Sequence, residues 1–226
     1  MERPIFTNFM MVQFVVAMRL FSIFIQSGCA IESPHYTVVY SESDFEVRLY
    51  RECSWMSALV RGTTSFENST KDGFHRLYQY FHGANLNSAR VTLTAPVLTK
   101  IISNSSSSST QGSEYHIKLY LGTKYERAPP PQPLPELNLQ LDKRRSHCVA
   151  VRSFSGFAED DNVGKEVEGF WNSLNKHVNK SWETPLVVDK SSFGIAQYNS
   201  SHHLTGRLNE VWVNVLSGFA AEWCLP

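Results

Sequence analysis

The sequence predicts an α+β fold, an antiparallel sheet covered by two helices, and three observations predict it. Nine segments alternate apolar and polar residues with period 2 and are rich in β-branched and aromatic side chains, as strands with one buried face require. Only two segments space their apolar residues as a helix does. One pattern occurs twice: Trp55-Met-Ser-Ala-Leu-Val-Arg-Gly62 followed by a helix, and Cys148-Val-Ala-Val-Arg-Ser-Phe-Ser-Gly156 followed by a helix. The chain therefore reads as one strand-and-helix unit used twice, and strands this numerous with so few helices pair antiparallel.

In chain order, strands are expected at 36–40, 45–50 and 54–61. The first helix should start near Thr64, where Thr64-Ser-Phe-Glu67 reads as a capping box. The hydroxyl would accept from the backbone at Glu67 and the carboxylate would reach back. Its apolar face is Phe66, Phe74, Leu77, Tyr78 and Phe81, and Gly83 stops it. Strands follow at 91–101 and 115–121, separated by Asn104-Ser-Ser-Ser-Ser-Ser-Thr-Gln-Gly112, which can bury nothing and reads as a mobile hairpin loop. Ala128-Pro-Pro-Pro-Gln-Pro-Leu-Pro135 predicts an extended polyproline II strap between the halves. Strands at 137–141 and 147–153 lead to the second helix, 161–178, whose Val163, Val167, Phe170, Trp171, Leu174 and Val178 stand at helical spacing. Asp160 and Asp161 suit its positive end. Strands at 193–198 and 210–216 complete the set.

The N-terminus reads as an address. An apolar run from Phe9 to Ile25 follows Arg3 and ends in Gly28-Cys-Ala30, small residues that suit a signal peptidase. Residues 1–30 are thus expected to be a cleaved secretory signal ahead of one domain, 31–226, with no stable membrane span in the mature chain. Gln13 and Arg19 interrupt the run, which keeps a signal anchor or a plastid transit peptide as alternatives. Sequons at Asn68, Asn104, Asn179 and Asn199 fit a glycoprotein of the secretory pathway, extracellular or vacuolar. Cys53, Cys148 and Cys224 would remain after cleavage. A Cys53–Cys148 bridge is one reading, if the two repeat strands run side by side; two buried free thiols are the other.

Composition removes further classes. Of 226 residues, 42% are hydrophobic and 19% charged, as in a globular domain rather than a disordered one. Lys plus Arg and Asp plus Glu balance at 21 each, so no cationic excess exists to neutralise nucleic-acid phosphates. There is no Cys-x-x-Cys or Cys-x-x-Cys-His, which removes zinc ribbons and covalent haem attachment. No Gly-x-Ser-x-Gly, His-Glu-x-x-His or phosphate-binding glycine loop appears, and the chain is read as a non-enzyme.

Three stretches in a fixed order carry a resemblance: Phe45-Glu-Val-Arg-Leu-Tyr50, Val91-Thr-Leu-Thr-Ala-Pro-Val-Leu-Thr-Lys-Ile101 and Asn209-Glu-Val-Trp212. Between the first two lies Gly73-Phe-His-Arg-Leu-Tyr-Gln-Tyr-Phe-His-Gly83, similar to a first helix. Together they resemble the SOUL haem-binding family over roughly residues 36 to 215. The resemblance implies a twisted, barrel-like sheet flanked by two helices with pseudo-two-fold symmetry. It also makes the proline run a connector rather than a signalling ligand. The implied function is non-covalent binding of haem or a related tetrapyrrole by a carrier or buffer.

A porphyrin needs an apolar slot, cations or donors for two propionates and, optionally, an axial ligand. The resemblance places the slot against the first helix, closed by the loop before the last strand. Lys71, Phe74, His75, Tyr78 and Gln79, with His82, come from the helix, and His202 and His203 from the loop. Lys71 and His203 match positions where relatives carry basic residues, whereas Gln79 replaces a lysine of some relatives. Some relatives place a histidine between the Arg and Tyr of the first stretch; this chain has Leu49 there, so a histidine ligand would come from the helix or the loop. The residues alone also admit plainer roles: Phe74 and Leu77 as ordinary core, Lys71, His75 and His82 as a solvated helix face. A module binding other amphiphiles or a protein partner is the alternative function, and bacterial effector-binding domains resemble the same symmetric cleft fold.

Overall fold

A computed structural model describes residues 31–62, 65–102, 113–178, 186–200, 202–217 and 224. The expected signal, Thr64, the serine-rich loop and the sequons at Asn104 and Asn179 lie outside the described residues.

Among the described residues ten strands form one antiparallel sheet: β1 Tyr36–Ser41, β2 Glu46–Tyr50, β3 Cys53–Val60, β4 Val97–Ile102, β5 Glu114–Tyr120, β6 Leu139–Arg144, β7 His147–Ser155, β8 Val187–Val188, β9 Ser192–Gln197 and β10 Leu208–Ser217. The order across the sheet is β1-β2-β7-β10-β9-β4-β5-β3-β6, with the short β8 paired to β10. From the central β9–β4 pair outward, the order is the same on both sides once the two halves are exchanged. On one side come β10, β7 and β2, on the other β5, β3 and β6. Each half therefore lends its first strand to the other: β2 pairs with β7, and β6 pairs with β3. The duplicated units keep their common glycine, since Gly62 ends β3's turn at φ 76° and Gly156 ends β7's at φ 90°. No atom would crowd a Cβ at either position, so glycine is needed there for the left-handed backbone alone.

Two long helices, α1 Phe66–Phe81 and α3 Val163–Val178, cover one face, and a single turn, α2 Lys124–Arg127, follows β5. The main core lies between them and the sheet. Val47, Met56, Ile117, Leu119, Ala150, Ile195 and Val211 point from the strands, and Leu77, Phe81, Phe170 and Leu174 from the helices. Gly73 is the closest approach of α1 to the sheet, since a Cβ there would stand 2.6 Å from Ile117. Among the described residues no helix is long and apolar enough to cross a membrane.

Several expectations need correction. The N-cap of α1 is Ser65, not Thr64: its hydroxyl oxygen accepts from the Asn68 amide at 3.1 Å. The capping carboxylate is borrowed from the other half, because Asp160 accepts from the Phe66 amide at 2.5 Å and from the Ser65 hydroxyl at 2.6 Å. Glu67 reciprocates by accepting from the Asp160 amide at 3.1 Å. The two helix starts thus share one hydrogen-bonded knot. Within 91–101, pairing begins only at Val97, because Pro96 has no N–H to give a ladder. The preceding residues are held instead by Ala95 N donating to the Glu32 carbonyl and the Thr94 hydroxyl to that of Tyr120. Residues 135–137 form a 3-10 turn closed by left-handed Asn138, which delays β6 to Leu139. The proline run straps the end of α1: the Tyr80 hydroxyl donates to the Pro131 carbonyl at 2.8 Å.

The cysteine pairing also differs. Because of the strand exchange β3 lies between β5 and β6, and β7 between β2 and β10, so Cys53 and Cys148 are not neighbours. Cys148 is bridged to Cys224 instead. Cys53 is a buried free thiol, pushed up to about 11 by burial.

Candidate functional site

On α1 the buried stripe is Phe66, Ser69, Gly73, Leu77, Tyr80 and Phe81. Tyr78 is on the other side, 43% exposed, and the fully buried tyrosine is Tyr80. Leu77 is core and Phe74 is half-buried against it, in keeping with the plainer reading of both. The residues outside the buried stripe fall into two rows four apart, as helical spacing dictates. One row is aromatic: Phe74 lies 6.0 Å from Tyr78, and Tyr78 stacks on His82 at 3.9 Å between ring centres. The other is polar, with Lys71 and His75 exposed and Gln79 half-buried. The His82 Nδ1 sits 2.8 Å from the Tyr78 carbonyl oxygen. With Nδ1–H donating there, the neutral ring keeps a free lone pair on Nε2.

His202 and His203 are exposed in the β9–β10 loop. Arg207 shapes that loop by donating to the carbonyls of Asn199, Ser200 and His203, with its guanidinium 4.2 Å over the Phe157 ring. Among the described residues no hydrogen bond, ion pair or ring contact joins this loop to α1. The structure therefore gathers the helical members of the expected site on α1, and no contact of these kinds ties the loop pair to them among the described residues.

The opposite face of the sheet holds a second feature that the sequence reading missed. The curled sheet lines a small cleft there, about 40 Å³ in volume. Tyr50, Trp55 and Trp212 line it, with Tyr50 and Trp212 rings 4.8 Å apart. Lys100, Lys118, Arg144 and His147 are interleaved with them: His147 pairs with Tyr50 across the ladder, and Lys100 and Trp212 both pair with Gly194. Asp142 takes an ion pair from Lys118 and another from Arg144 at 3.3 Å. Burial, with Arg144 nearby, lowers the Lys118 ammonium below the ordinary lysine range even against the attraction of Asp142. Burial likewise lowers His147, keeping its ring neutral further into the acid range. Strand parity was the available signal: Tyr50, Trp55, Leu98, Lys100, Lys118 and Trp212 all stand out of phase with the helix-facing residues.

Beneath the same face lies a buried ion pair. Arg48 donates to Glu210 at 2.9 Å, and the second Glu210 oxygen accepts from the Tyr198 hydroxyl and the Trp212 indole, both at 2.7 Å. These are residues of the first and last sequence stretches singled out above, brought together across β7. The profile of the SOUL heme-binding protein family matches residues 31–214. The chain belongs to this family. This SOUL chain is 30% identical over 169 residues to Heme-binding protein 2 of Mus musculus, covering 75% of this chain and 77% of that one. It is 29% identical over the same span to Heme-binding protein 2 of Homo sapiens, with the same coverage. Among solved structures, the C-terminal domain of EcmrR is similar at TM-score 0.46 and 12% identity, over 80% of this chain and 98% of that one.

Proposed function

We propose that this SOUL protein binds haem or a related tetrapyrrole non-covalently on the outer face of α1 and serves as a carrier or buffer. The observation that carries the reading is the exposed stacked pair Tyr78 and His82, flanked by the half-buried Phe74. Exposed rings offer a flat macrocycle a stacking surface. Lys71 and His75 in the adjacent row would meet propionates, with Gln79 as a hydrogen-bonding neighbour. His202 and His203 would close the slot from the β9–β10 loop. Bound haem would supply an iron centre, and any histidine ligand to it would come from His75, His82, His202 or His203; a ring that stacks on the macrocycle face would not also be that ligand.

Titration with haemin and with metal-free protoporphyrin tests this. Lys71→Ala should weaken haemin binding between a few-fold and about a hundredfold, the range from a rim contact to a desolvated one. Tyr78→Ala should weaken it at least as much. His82→Ala should move the Soret band if Nε2 reaches iron. Unchanged affinity and spectrum in all three variants would end the α1 reading.

We further propose that the mature chain begins near Ile31 and passes through the secretory pathway. The Cys148–Cys224 bridge supports this, since disulfides persist in oxidising compartments. N-terminal sequencing and a glycosidase mobility shift at Asn104 on protein from its native host should both be positive. An intact leader without any shift would count against secretion.

A further inference from the structure

We propose that a recess beside the concave cleft, over β4, β5, β3 and β6, is an anion site separate from the α1 face, and that it takes a phosphate monoester of sugar-phosphate size. Strand register gathers its lining. Lys100 on β4 stands opposite His116 on β5, and one step along the same face Lys118 stands opposite Ser57 on β3, itself opposite Gln140 on β6. Asp142 and Arg144 continue that face of β6. The recess measures about 310 Å³, at the lower end of small-molecule sites, whereas the cleft of about 40 Å³ has room for little more than water.

The lining does not balance its own charge. Lys118 and Arg144 meet on one oxygen, Asp142 Oδ2. Lys100 is half-buried and has no ion pair or hydrogen bond among the described residues. Three cations against one carboxylate leave two positive charges over, while burial and the charge of Lys118 lower His116 and keep it neutral. The carboxylates just beyond are engaged elsewhere. Asp189 accepts from the Ser191 amide and the Ser191 and Ser192 hydroxyls, and Glu114 pairs with Arg61 at 2.7 Å. Burial and then the repulsion of Arg144 outweigh Asp189 and Asp142 and lower the Lys100 ammonium. Two polar groups of the wall point the same way. Ser57 is 6% exposed, and its hydroxyl has no hydrogen bond among the described residues. His116 Nε2 is buried without a hydrogen-bond partner, since the Glu114 carboxylate stands 3.7 Å off. Buried polar groups are rarely left so.

A purely structural role accounts for Lys118, Arg144 and Asp142, which hold one another. It does not account for Lys100, the Ser57 hydroxyl and His116 Nε2 in adjoining register on one wall. A phosphate dianion does. Its two charges equal the excess, and its oxygens accept from Lys100, Lys118 and the Ser57 hydroxyl. A carboxylate or a sulfate ester brings one charge and leaves a cation over. Phosphate alone fills only part of the recess, and the exposed Gln140 amide beside it suits the hydroxyls of a sugar.

The test is calorimetric titration of the full chain with methyl phosphate and methyl sulfate, which share a shape and differ by one charge above the second phosphate ionisation at about pH 6. Methyl phosphate should bind more tightly by about tenfold or more, and should shift the Ser57, Lys100 and Lys118 amides in ¹⁵N spectra. Ribose 5-phosphate should bind more tightly than either methyl phosphate or inorganic phosphate. Lys100→Gln should weaken methyl phosphate by about tenfold to a hundredfold, the worth of a charge-assisted contact. Asp142→Asn should strengthen it several-fold, because Lys118 and Arg144 lose the carboxylate that competes for them; a variant that merely misfolds cannot do this. Prior saturation with haemin should leave these affinities within about twofold, since α1 covers the opposite face of the sheet. Absence of methyl phosphate binding at millimolar concentration, equal affinity for the two esters, weakened binding in Asp142→Asn, or displacement by haemin would each overturn the site. Ribose 5-phosphate binding no tighter than inorganic phosphate would overturn its assignment to an ester.

Discussion

Glu210→Ala is expected to destabilise the protein by about 3–5 kcal/mol in urea denaturation, the usual loss when one partner of a buried pair is removed. The side chains of Arg48 and Glu210 are only 8% and 3% exposed, so the guanidinium left behind would be stranded with Glu46 alone, at 2.8 Å. Tyr198 and Trp212 would lose their acceptor in the same step. Burial and the charge of Glu210 already hold the Tyr198 hydroxyl far above the ordinary tyrosine range, so it would stay a neutral donor with nothing to donate to. The pair Arg48→Met with Glu210→Leu should cost clearly less than the sum of its single changes, because it removes the stranded charge with its partner. Strict additivity, or a Glu210→Ala cost within about 1 kcal/mol of zero, would mean that the pair is far better solvated than its burial implies.

Phe170→Ala is expected to cost about 3–5 kcal/mol by opening a cavity under α3. Phe170 is fully buried, 6.2 Å from the Phe45 ring, and Val167 and Leu174 hold the same stripe against the sheet. Tetrapyrrole affinity should change little at temperatures where the variant stays folded, since α1 carries the proposed face. A selective loss of binding with stability retained would place the slot on the wrong helix.

Much of the fold was legible because alternation and burial obey the same period. The expected bounds of β1, β2, β3, β5, β7, β9 and β10 fall within about two residues of the observed ones. The errors have local causes that composition hides. Proline delays β4, left-handed Asn138 delays β6, and β8 is too short to show any period. The cysteine error has a long-range cause. Equivalent positions in two repeats need not be neighbours when the repeats exchange strands: the sheet order separates Cys53 from Cys148, and Cys148 is bridged to Cys224. At the site, the resemblance picked out the residues of the α1 rows, whereas helical spacing put Tyr78 on the buried side, because a stripe of Phe66, Leu77 and Phe81 leaves the neighbouring aromatic positions undecided. The lining of the concave cleft comes from eight different strands, and no local pattern could gather it.

The exchange of first strands bears on what happens to a shortened chain. Cut in the proline strap, the N-terminal part would keep β1 paired with β2, and β4, β5 and β3 paired together, but nothing in the ladder would join the two pieces. The C-terminal part would keep β7, β10 and β9 and strand β6 alone. Both parts would expose raw edges at β3, β4, β7 and β9, the surfaces from which unfolded chains recruit one another. Premature termination or proteolysis in the strap would thus release no usable half-domain, only aggregation-prone fragments. During synthesis, the early strands must also wait for their partners until most of the second half has left the ribosome.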